Sequence, residues 1–238
     1  MSYIDDPSSS SGNSEPLSLI DRVVGVFTSP RATMENIVAF PSWLPPLVLI
    51  AVVSAVSGFL LKDVIIDTEL EKMQNNPNMT AEQVEQARPM IEKSVPIAAP
   101  VMGFLWPPIL YVIAAAILLF VGNFIFGGAS NFKILFSVIC WSSLIGVLGA
   151  AVNTPVMISR GVMEGAANLA VLLPPDENKS TFYFFLTQID LFMIWWLVVV
   201  GFGFAAAYRF ATQKAMTTVF ALWGLILIIA VSVKAMFS

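Results

Sequence analysis

The hydrophobic residues of the chain fall into long continuous runs that are separated by shorter polar segments. A run of about 20 apolar residues is long enough to cross the hydrocarbon core of a bilayer as a helix. The runs do not alternate apolar and polar residues as the strands of a membrane barrel do. The pattern therefore predicts an all-α, polytopic membrane helix bundle with five transmembrane spans, at about 43–61, 97–126, 133–155, 183–208 and 216–237.

The segment before the first span has a shorter amphipathic pattern. Its apolar side chains recur at helical spacing: Ile20, Val23, Val24 and Phe27. Residues 17–28 are too short and too polar to span a bilayer, which favours an interfacial helix. Ser29 followed by Pro30 is typical of a helix start, so a second short helix is expected over 30–39. Both helices are expected to lie in lipid or against the bundle, and docking of a partner protein on them is the alternative.

Residues 1–16 are acidic and rich in serine. This composition buries too little apolar surface to fold and predicts a disordered tail. It also differs from the basic start and apolar core of a cleavable signal peptide, so the first span is expected to target the protein. A single membrane domain is expected over 17–238.

Residues 62–95 are the most polar part of the chain. The run 75–78 contains three asparagines and Pro77 and indicates a turn. Thr80 and Gln83 have the spacing of a capping box. We therefore expect an extramembrane helical hairpin that is kinked or stopped near Pro89. Its many carboxylates lack the spacing of an EF-hand, which favours a solvated face over a cation site.

Prolines and small residues mark the second and third spans. Three prolines in the first half of the second span predict a break or kink there: Pro100, Pro107 and Pro108. The turn at Gly127-Gly128 is very short, so these two spans are expected to be antiparallel neighbours. Gly146 and Ala150 form a small-xxx-small pair in the third span, which is typical of close helix packing.

The fourth span carries one ionisable residue, Asp190, inside an otherwise apolar run. A carboxylate near the bilayer centre costs about 2.5–3.5 kcal/mol on insertion scales, so it usually faces other helices or water. We expect the bundle to be organised around this span. Gln188 and Asn153 are expected at a similar depth, and with Asp190 they form a candidate intramembrane polar cluster. Two interpretations are open: a hydrogen-bonded tie between spans, and a proton or cation site.

Composition limits the chemistry. The 238 residues are 57% hydrophobic and 12% charged, include no histidine and carry a formal charge of −4. Histidine is the commonest metal ligand and general base, and the single Cys140 cannot form an intrachain disulfide. We expect no enzymatic activity, no metal and no cofactor, and the small negative charge argues against a nucleic-acid partner.

The charges of the short turns predict the orientation. The turns around Lys133 and around Arg209 and Lys214 carry only positive charge, and with five spans both fall on the side of the N-terminus. The 62–95 hairpin and the acid-rich 156–180 loop, which is expected to contain a short interfacial or re-entrant helix, fall on the other side. Positive charge in short loops marks the cytoplasmic side. The N-terminus is therefore expected in the cytoplasm and the C-terminus outside.

Several short motifs occur in an order that is found in a known family. They are R–VF–SP within 22–30, W–P before the first span, the GG turn, and D-L-F-x-I-W at 190–195. In this layout, from about Leu17 to the C-terminus, the chain resembles the Yip (Ypt-interacting protein) domain family of five-span membrane proteins. The acidic-Leu-Tyr-Gly-Pro sequence of eukaryotic members is absent. The resemblance therefore implies a prokaryotic-type member in a bacterial cytoplasmic membrane, and it does not extend to the Rab GTPase partnership or the Golgi role.

Two functions are compatible with these features. The first, which we prefer because catalytic groups are lacking, is a non-enzymatic scaffold or adaptor in membrane organisation or trafficking-like processes. Its N-terminal helices would bind a protein partner or lipid, and the bundle would form homo-oligomers through the small residues of the third span. The candidate contacts for a partner or lipid are Arg22, Phe27, Arg31 and Arg209. The second function is a small proton, cation or solute transporter that uses Asp190, Gln188 and Asn153.

Overall fold

The computed structural model describes residues 15–173 and 180–236. In these residues the chain forms α-helices, a π-helical turn at Val121–Ile125 and a 3₁₀ turn at Leu169–Leu172, with no strand. The helices are α1 (Leu19–Thr28), α2 (Pro30–Ala39), α3 (Leu44–Leu60), α4 (Lys62–Gln74), α5 (Ala81–Phe120), α6 (Phe132–Ser142), α7 (Leu144–Arg160), α8 (Thr181–Thr187), α9 (Leu191–Tyr208) and α10 (Thr212–Met236). The predicted all-α bundle is confirmed. The predicted tail lies outside the described residues except for its last two positions.

Four helical segments of the described chain are long and apolar enough to cross a membrane. They are α5 with its π-helical turn, α6 with α7, α9, and α10. A fifth is counted when α3 and α4, which meet at a bend of 61°, are taken as one span. α3 alone has 17 residues, or about 26 Å at ~1.5 Å per residue, close to the ~30 Å thickness of the hydrocarbon core. The protein is thus a polytopic bundle with four to five candidate spans.

The α6–α7 segment lies at the centre of the bundle. Of its most apolar stretch 67% is buried, compared with 44% for α9 and 11% for α10. Its side chains form one core with α5, α9 and α10 and a second core with α1, α2, α3 and α9. The bundle is therefore organised around the third predicted span, and our expectation that the fourth span occupies this place is wrong.

α5 is one continuous helix that includes five prolines, so the stop predicted near Pro89 and the break predicted in the second span are not found. The neighbouring helix α3 lies against it at very close range. A Cβ added to Gly58 of α3 would lie 2.6 Å from the carbonyl oxygen of Ala99. Gly103 of α5 approaches the backbone at Ser54 in the same way. Prolines inside a helix favour a break in it. In α5 the helix continues through the prolines, where it packs closely against α3.

The predicted helical hairpin between the first two spans is formed by α4 and the first half of α5. Thr80 and Gln83 make both bonds of the capping box at the start of α5. Three apolar side chains are buried in the hairpin: Val64, Leu70 and Val84. α5 has 40 residues, about 60 Å at ~1.5 Å per residue, which is roughly twice the ~30 Å hydrocarbon core. The second arm of the hairpin and the following span are therefore one continuous helix.

The segment 156–180 differs from its prediction. α7 continues to Arg160 and ends at Gly161, whose φ of 65° is the left-handed conformation that glycine adopts at low cost. Only the 3₁₀ turn follows before residue 173, so the expected interfacial helix is not formed there. Residues 174–179 lie outside the described part of the chain.

Candidate functional site

The two predicted short helices, α1 and α2, form a hairpin at one end of the bundle. Ser18 caps α1, because its hydroxyl accepts a hydrogen bond from the backbone N–H of Asp21 at 3.2 Å. Pro30 lies in the first turn of α2, as its missing N–H favours. A side chain added to Gly25 would contact the hydroxyl of Thr33. The glycine therefore allows α1 and α2 to pack closely.

Arg22 of α1 lies inside the protein rather than on its surface. It is 4% exposed, and its terminal nitrogens donate to the Phe40 carbonyl (3.0 Å), the Ser42 hydroxyl (2.7 Å) and the Asn36 side-chain oxygen (3.2 Å). Its guanidinium carbon is 5.8 Å from the ring centroid of Trp141. Burial lowers the pKa of Arg22 from its ordinary value. We expected Arg22 to contact a partner or lipid, but it is an internal connection, which we call the Arg22 latch.

Apolar contacts fix the same hairpin to the bundle. Three of its side chains are fully buried against α6, α7 and α9: Val26, Met34 and Ile37. The indole N–H of Trp141 donates to the carbonyl of Ser42. Phe27 meets Trp195 of α9 edge to face, with ring centroids 5.9 Å apart. Phe27 was also expected to contact a partner or lipid, but it packs against the bundle.

The opposite face of the hairpin is uncovered. Four apolar side chains at the start of the chain's described part are exposed: Leu17 (38%), Leu19 (54%), Ile20 (75%) and Val24 (52%). We call them the α1 stripe. Beside it lies a groove of about 660 Å³ between α1 and α2. Its lining includes the carboxylates of Glu15, Asp21 and Glu35 and no lysine or arginine, and we call it the acidic groove.

Arg31 and Arg209, the other two predicted contact residues, line one cavity. It has a volume of about 320 Å³ and lies between α2 and the end of α9. The side chain of Arg31 is 68% exposed and pairs with Glu35, with Nε and Oε1 3.3 Å apart. Arg209 follows α9 in the left-handed conformation, with a φ of 55°. Of the four predicted contact residues, the fold brings these two together and places them at the surface.

Asp190 caps a helix rather than lying within one. The predicted span 183–208 is divided, because α8 ends at Thr187 and α9 begins directly after Asp190. One carboxylate oxygen of Asp190 accepts hydrogen bonds from the backbone N–H groups of Phe192 (2.8 Å) and Met193 (3.2 Å). Aspartate strongly favours this position, because it satisfies N–H groups that the helix leaves free. The prediction that Asp190 lies within one continuous fourth span is therefore wrong.

The other members of the predicted polar cluster have separate partners. Asn153 accepts a hydrogen bond from the backbone N–H of Ala166 at 3.0 Å. Gln188 donates to the hydroxyl of the preceding threonine at 3.0 Å. No hydrogen bond joins the three side chains in the described structure, although Asp190 pairs through its backbone with Asn168. Asn153, through its side chain, and the backbone around Asp190 thus both contact the loop that connects α7 to α8.

The Arg22 latch depends on residues that sequence analysis did not identify. Asn36 accepts from Arg22 and from the backbone N–H of Leu17 (3.1 Å) and donates to the carbonyl of Glu15 (2.9 Å). Trp141 is 1% exposed at the centre of the bundle. These partners lie up to 119 residues from Arg22 in the sequence, since 141 − 22 = 119. No local pattern reveals such a contact.

A second connection missed from the sequence joins the π-helical turn after α5 to the end of α9. The hydroxyl of Tyr208 donates to the side-chain oxygen of Asn123 at 2.8 Å. The backbone N–H of Ser130 donates to the same oxygen at 3.1 Å. A side chain added to Gly122 would contact the ring of Tyr208. The polar Asn123 at the end of an apolar run was the available signal in the sequence.

Lys214, in the first turn of α10, lies between two aromatic rings. Its ammonium nitrogen is 4.1 Å from the centroid of Phe126 and 4.0 Å from that of Phe210. A cation above an aromatic face is attracted by the ring quadrupole. The contact places the turn after α5 beside the turn between α9 and α10, at the end of the bundle where Arg31 and Arg209 meet.

Known proteins are similar to this chain over most of its length. The model of the Yip1 domain family matches residues 24–233. The chain is also similar to "Membrane protein YknW" of Bacillus subtilis (strain 168), with 26% identity over 207 residues that cover 86% of each chain. No solved structure matches the chain. The matched range begins within α1 and ends within α10, so it includes the whole bundle.

Proposed function

Because this chain belongs to the Yip1 domain family, we propose that it is a non-enzymatic membrane scaffold that presents its α1–α2 hairpin to a partner protein. Its apolar helices and its membrane-protein relative make it an integral membrane protein. The absence of histidine from the sequence supports a role in binding rather than in acid–base catalysis. The proposed role is a scaffold or adaptor in membrane organisation.

One observation carries this proposal: the hairpin is fixed to the bundle on one face and uncovered on the other. Its inner side chains, such as Met34, are fully buried, and the Arg22 latch adds hydrogen bonds to the connection with α3. Its outer face exposes the α1 stripe, in which Ile20 is 75% exposed. α1 is not among the helices long enough to span the membrane, so its exposed apolar side chains are available to a partner protein. A surface that is already rigid binds with a smaller loss of conformational entropy.

The acidic groove supports a protein rather than a membrane surface as the occupant. Its lining carries three carboxylates and no basic side chain. The cytoplasmic faces of membranes are anionic and attract basic segments, so these carboxylates oppose contact with such a surface. A partner segment with apolar residues for the α1 stripe and a lysine or arginine for the groove complements both features.

We further propose that the hairpin faces the cytoplasm of a bacterial cell, with the C-terminus outside. Arg31 of the hairpin lines the same cavity as Arg209, and Lys214 contacts the turn that follows α5. The hairpin therefore shares one end of the bundle with the two positively charged short turns. Positive charge in short loops favours the cytoplasmic side, which supports this orientation.

Co-purification of the full chain tests the partner. The double variant Ile20→Asn, Val24→Asn removes the apolar character of the α1 stripe and leaves the buried face of the hairpin intact. We expect a protein that co-purifies with the wild type to be lost from this variant. Met90→Asn is the control, because Met90 is 68% exposed on the other extramembrane hairpin. Equal recovery of every bound protein with all three chains would contradict the proposal. A second copy of the chain, seen as a dimer lost in the double variant, would identify the partner as the protein itself.

A further inference from the structure

The cavity between α2 and the end of α9, which we call the arginine cavity, combines cationic and apolar walls. Arg31 comes from α2, and Arg209 comes from the C-terminal cap of α9. Apolar side chains, including Val38, Phe202 and Phe210, form part of the wall between them. Its volume is about 320 Å³. The cavity is therefore amphipathic, with charge contributed by two separate elements.

The backbone at Arg209 is unusual for an arginine. Its φ of 55° is the one positive φ found at a non-glycine residue in the described chain. Glycine is the common residue at the left-handed position that ends a helix, because a Cβ is disfavoured there. The left-handed backbone conformation therefore gives no reason for an arginine at position 209. Its side chain contributes the second guanidinium of the arginine cavity.

The balance of charge in the cavity is positive. Two arginines and one carboxylate, that of Glu35, line it. Glu35 contacts Arg31 through Nε, and no hydrogen bond to the terminal nitrogens of Arg31 is found in the described structure. None of the ion pairs among the described residues includes Arg209. Guanidinium donors therefore stay available to an anion, although Glu35 lowers the net attraction.

We propose that the arginine cavity binds the phosphate of an anionic phospholipid headgroup. The planar guanidinium matches phosphate oxygens with paired N–H donors. Thr212, the first residue of α10, also lines the cavity, and the first turn of α10 has no acidic residue, so the positive end of that helix adds to the attraction. The apolar walls fit the glycerol and first acyl carbons. The cavity lies where membrane helices end, which is the depth of the headgroups.

This lipid site goes beyond the proposed partner binding and does not depend on it. The site uses α2 and α9, whereas the proposed partner binds the α1 stripe. A lipid held there would stabilise contact between the hairpin and the bundle, because it would bind groups of both. Loss of lipid binding and loss of partner binding are therefore separable by variants of different residues.

The test is lipid retention by the full chain in nanodiscs made from equal parts of phosphatidylglycerol and phosphatidylcholine, measured by native mass spectrometry. Arg209→Gly removes the guanidinium and keeps a residue that favours the backbone conformation. We expect Arg209→Gly and Arg31→Gln each to reduce retained phosphatidylglycerol by about tenfold, as for the loss of one charge-assisted contact. Arg160→Gln, at the end of α7, is the matched control and should retain as much lipid as the wild type.

Three outcomes would overturn the lipid site. The first is equal retention by Arg209→Gly and the wild type. The second is an equal loss in Arg160→Gln, which would indicate general surface charge. The third is displacement of the lipid by millimolar inorganic phosphate, which would assign the site to a soluble anion. If Arg209→Gly does not fold, Arg209→Asn replaces it, because asparagine also tolerates the left-handed conformation, and the same tenfold loss is expected.

Discussion

The guanidinium of Arg22 lies over the indole of Trp141, 5.8 Å from the ring centroid. Arg22 belongs to the first helix of the chain, and Trp141 is 1% exposed at the centre of the bundle. The hairpin that contains Arg22 is therefore a part of the folded bundle. It is not a peripheral segment that lies loosely in the membrane interface.

Arg22→Met should loosen this hairpin. The substitution removes three hydrogen bonds from a charged donor and leaves the Phe40 carbonyl without that partner. We expect the free energy of local unfolding to fall by about 1.5–3 kcal/mol, the range for a hydrogen bond to a charged group. Faster hydrogen exchange of residues 19–39, with unchanged exchange in α9, would show it. Arg88→Met is the control, since its pairs with Glu85 and Glu92 lie at the surface of α5, outside this hairpin.

Asp190→Asn should have almost no effect on stability. Asparagine caps a helix about as well as aspartate, whereas Asp190→Ala removes the cap and should cost about 1 kcal/mol. Thermal unfolding in one detergent compares the three chains. If Asp190→Asn were folded but destabilised as much as Asp190→Ala, the charge of the carboxylate would matter, and the assignment as a simple cap would be wrong.

Gly122→Ala and Gly146→Ala should change stability in opposite directions. A Cβ at Gly122 would contact the ring of Tyr208, and such overpacking typically costs about 1–3 kcal/mol. A Cβ at Gly146 has no atom within 4 Å, and glycine in a helix is about 0.5–1 kcal/mol less favourable than alanine. Thermal melting curves of the two variants, each compared with the wild type, distinguish these effects. A stabilising Gly122→Ala would contradict the close packing of the π-helical turn against Tyr208.

Fusions after Ser238 test the proposed orientation. A periplasmic reporter at this position should be active, and a cytoplasmic reporter should be inactive, because five spans put the two termini on opposite sides. A reporter fused before Leu17 serves as the reference for the other side. Cytoplasmic activity after Ser238 would contradict the orientation and would favour four spans, with α3 not crossing the membrane.

The periodic features of the sequence predicted most of the helices. The two short N-terminal helices, the capping box at Thr80 and the turn at Gly127-Gly128 each depend on residues that are near in sequence. Their physical causes are local, and they are present in the structure. The order of short motifs also predicted the family that the Yip1 domain model matches.

The errors arose where tertiary contacts or a cap outweighed a local pattern. The prolines of α5 predicted a break, but α3 packs closely against the helix through Gly58 and Gly103. The apolar run around Asp190 predicted one helix. In the structure the carboxylate of Asp190 caps α9, and the run is divided there into α8 and α9. The role of Arg22 could not be predicted, because its partner Trp141 is in a distant helix.

We propose that the outer face of the α1–α2 hairpin, which is fixed to the bundle, binds a partner protein. The most direct test of this proposal is site-specific photocrosslinking in intact cells, with the probe at Ile20 and a control probe at Met90. We expect a discrete protein adduct from position 20 that is absent from position 90 and preserved in Arg209→Gly. Adducts to lipid alone at position 20, or the same proteins captured from both positions, would contradict it.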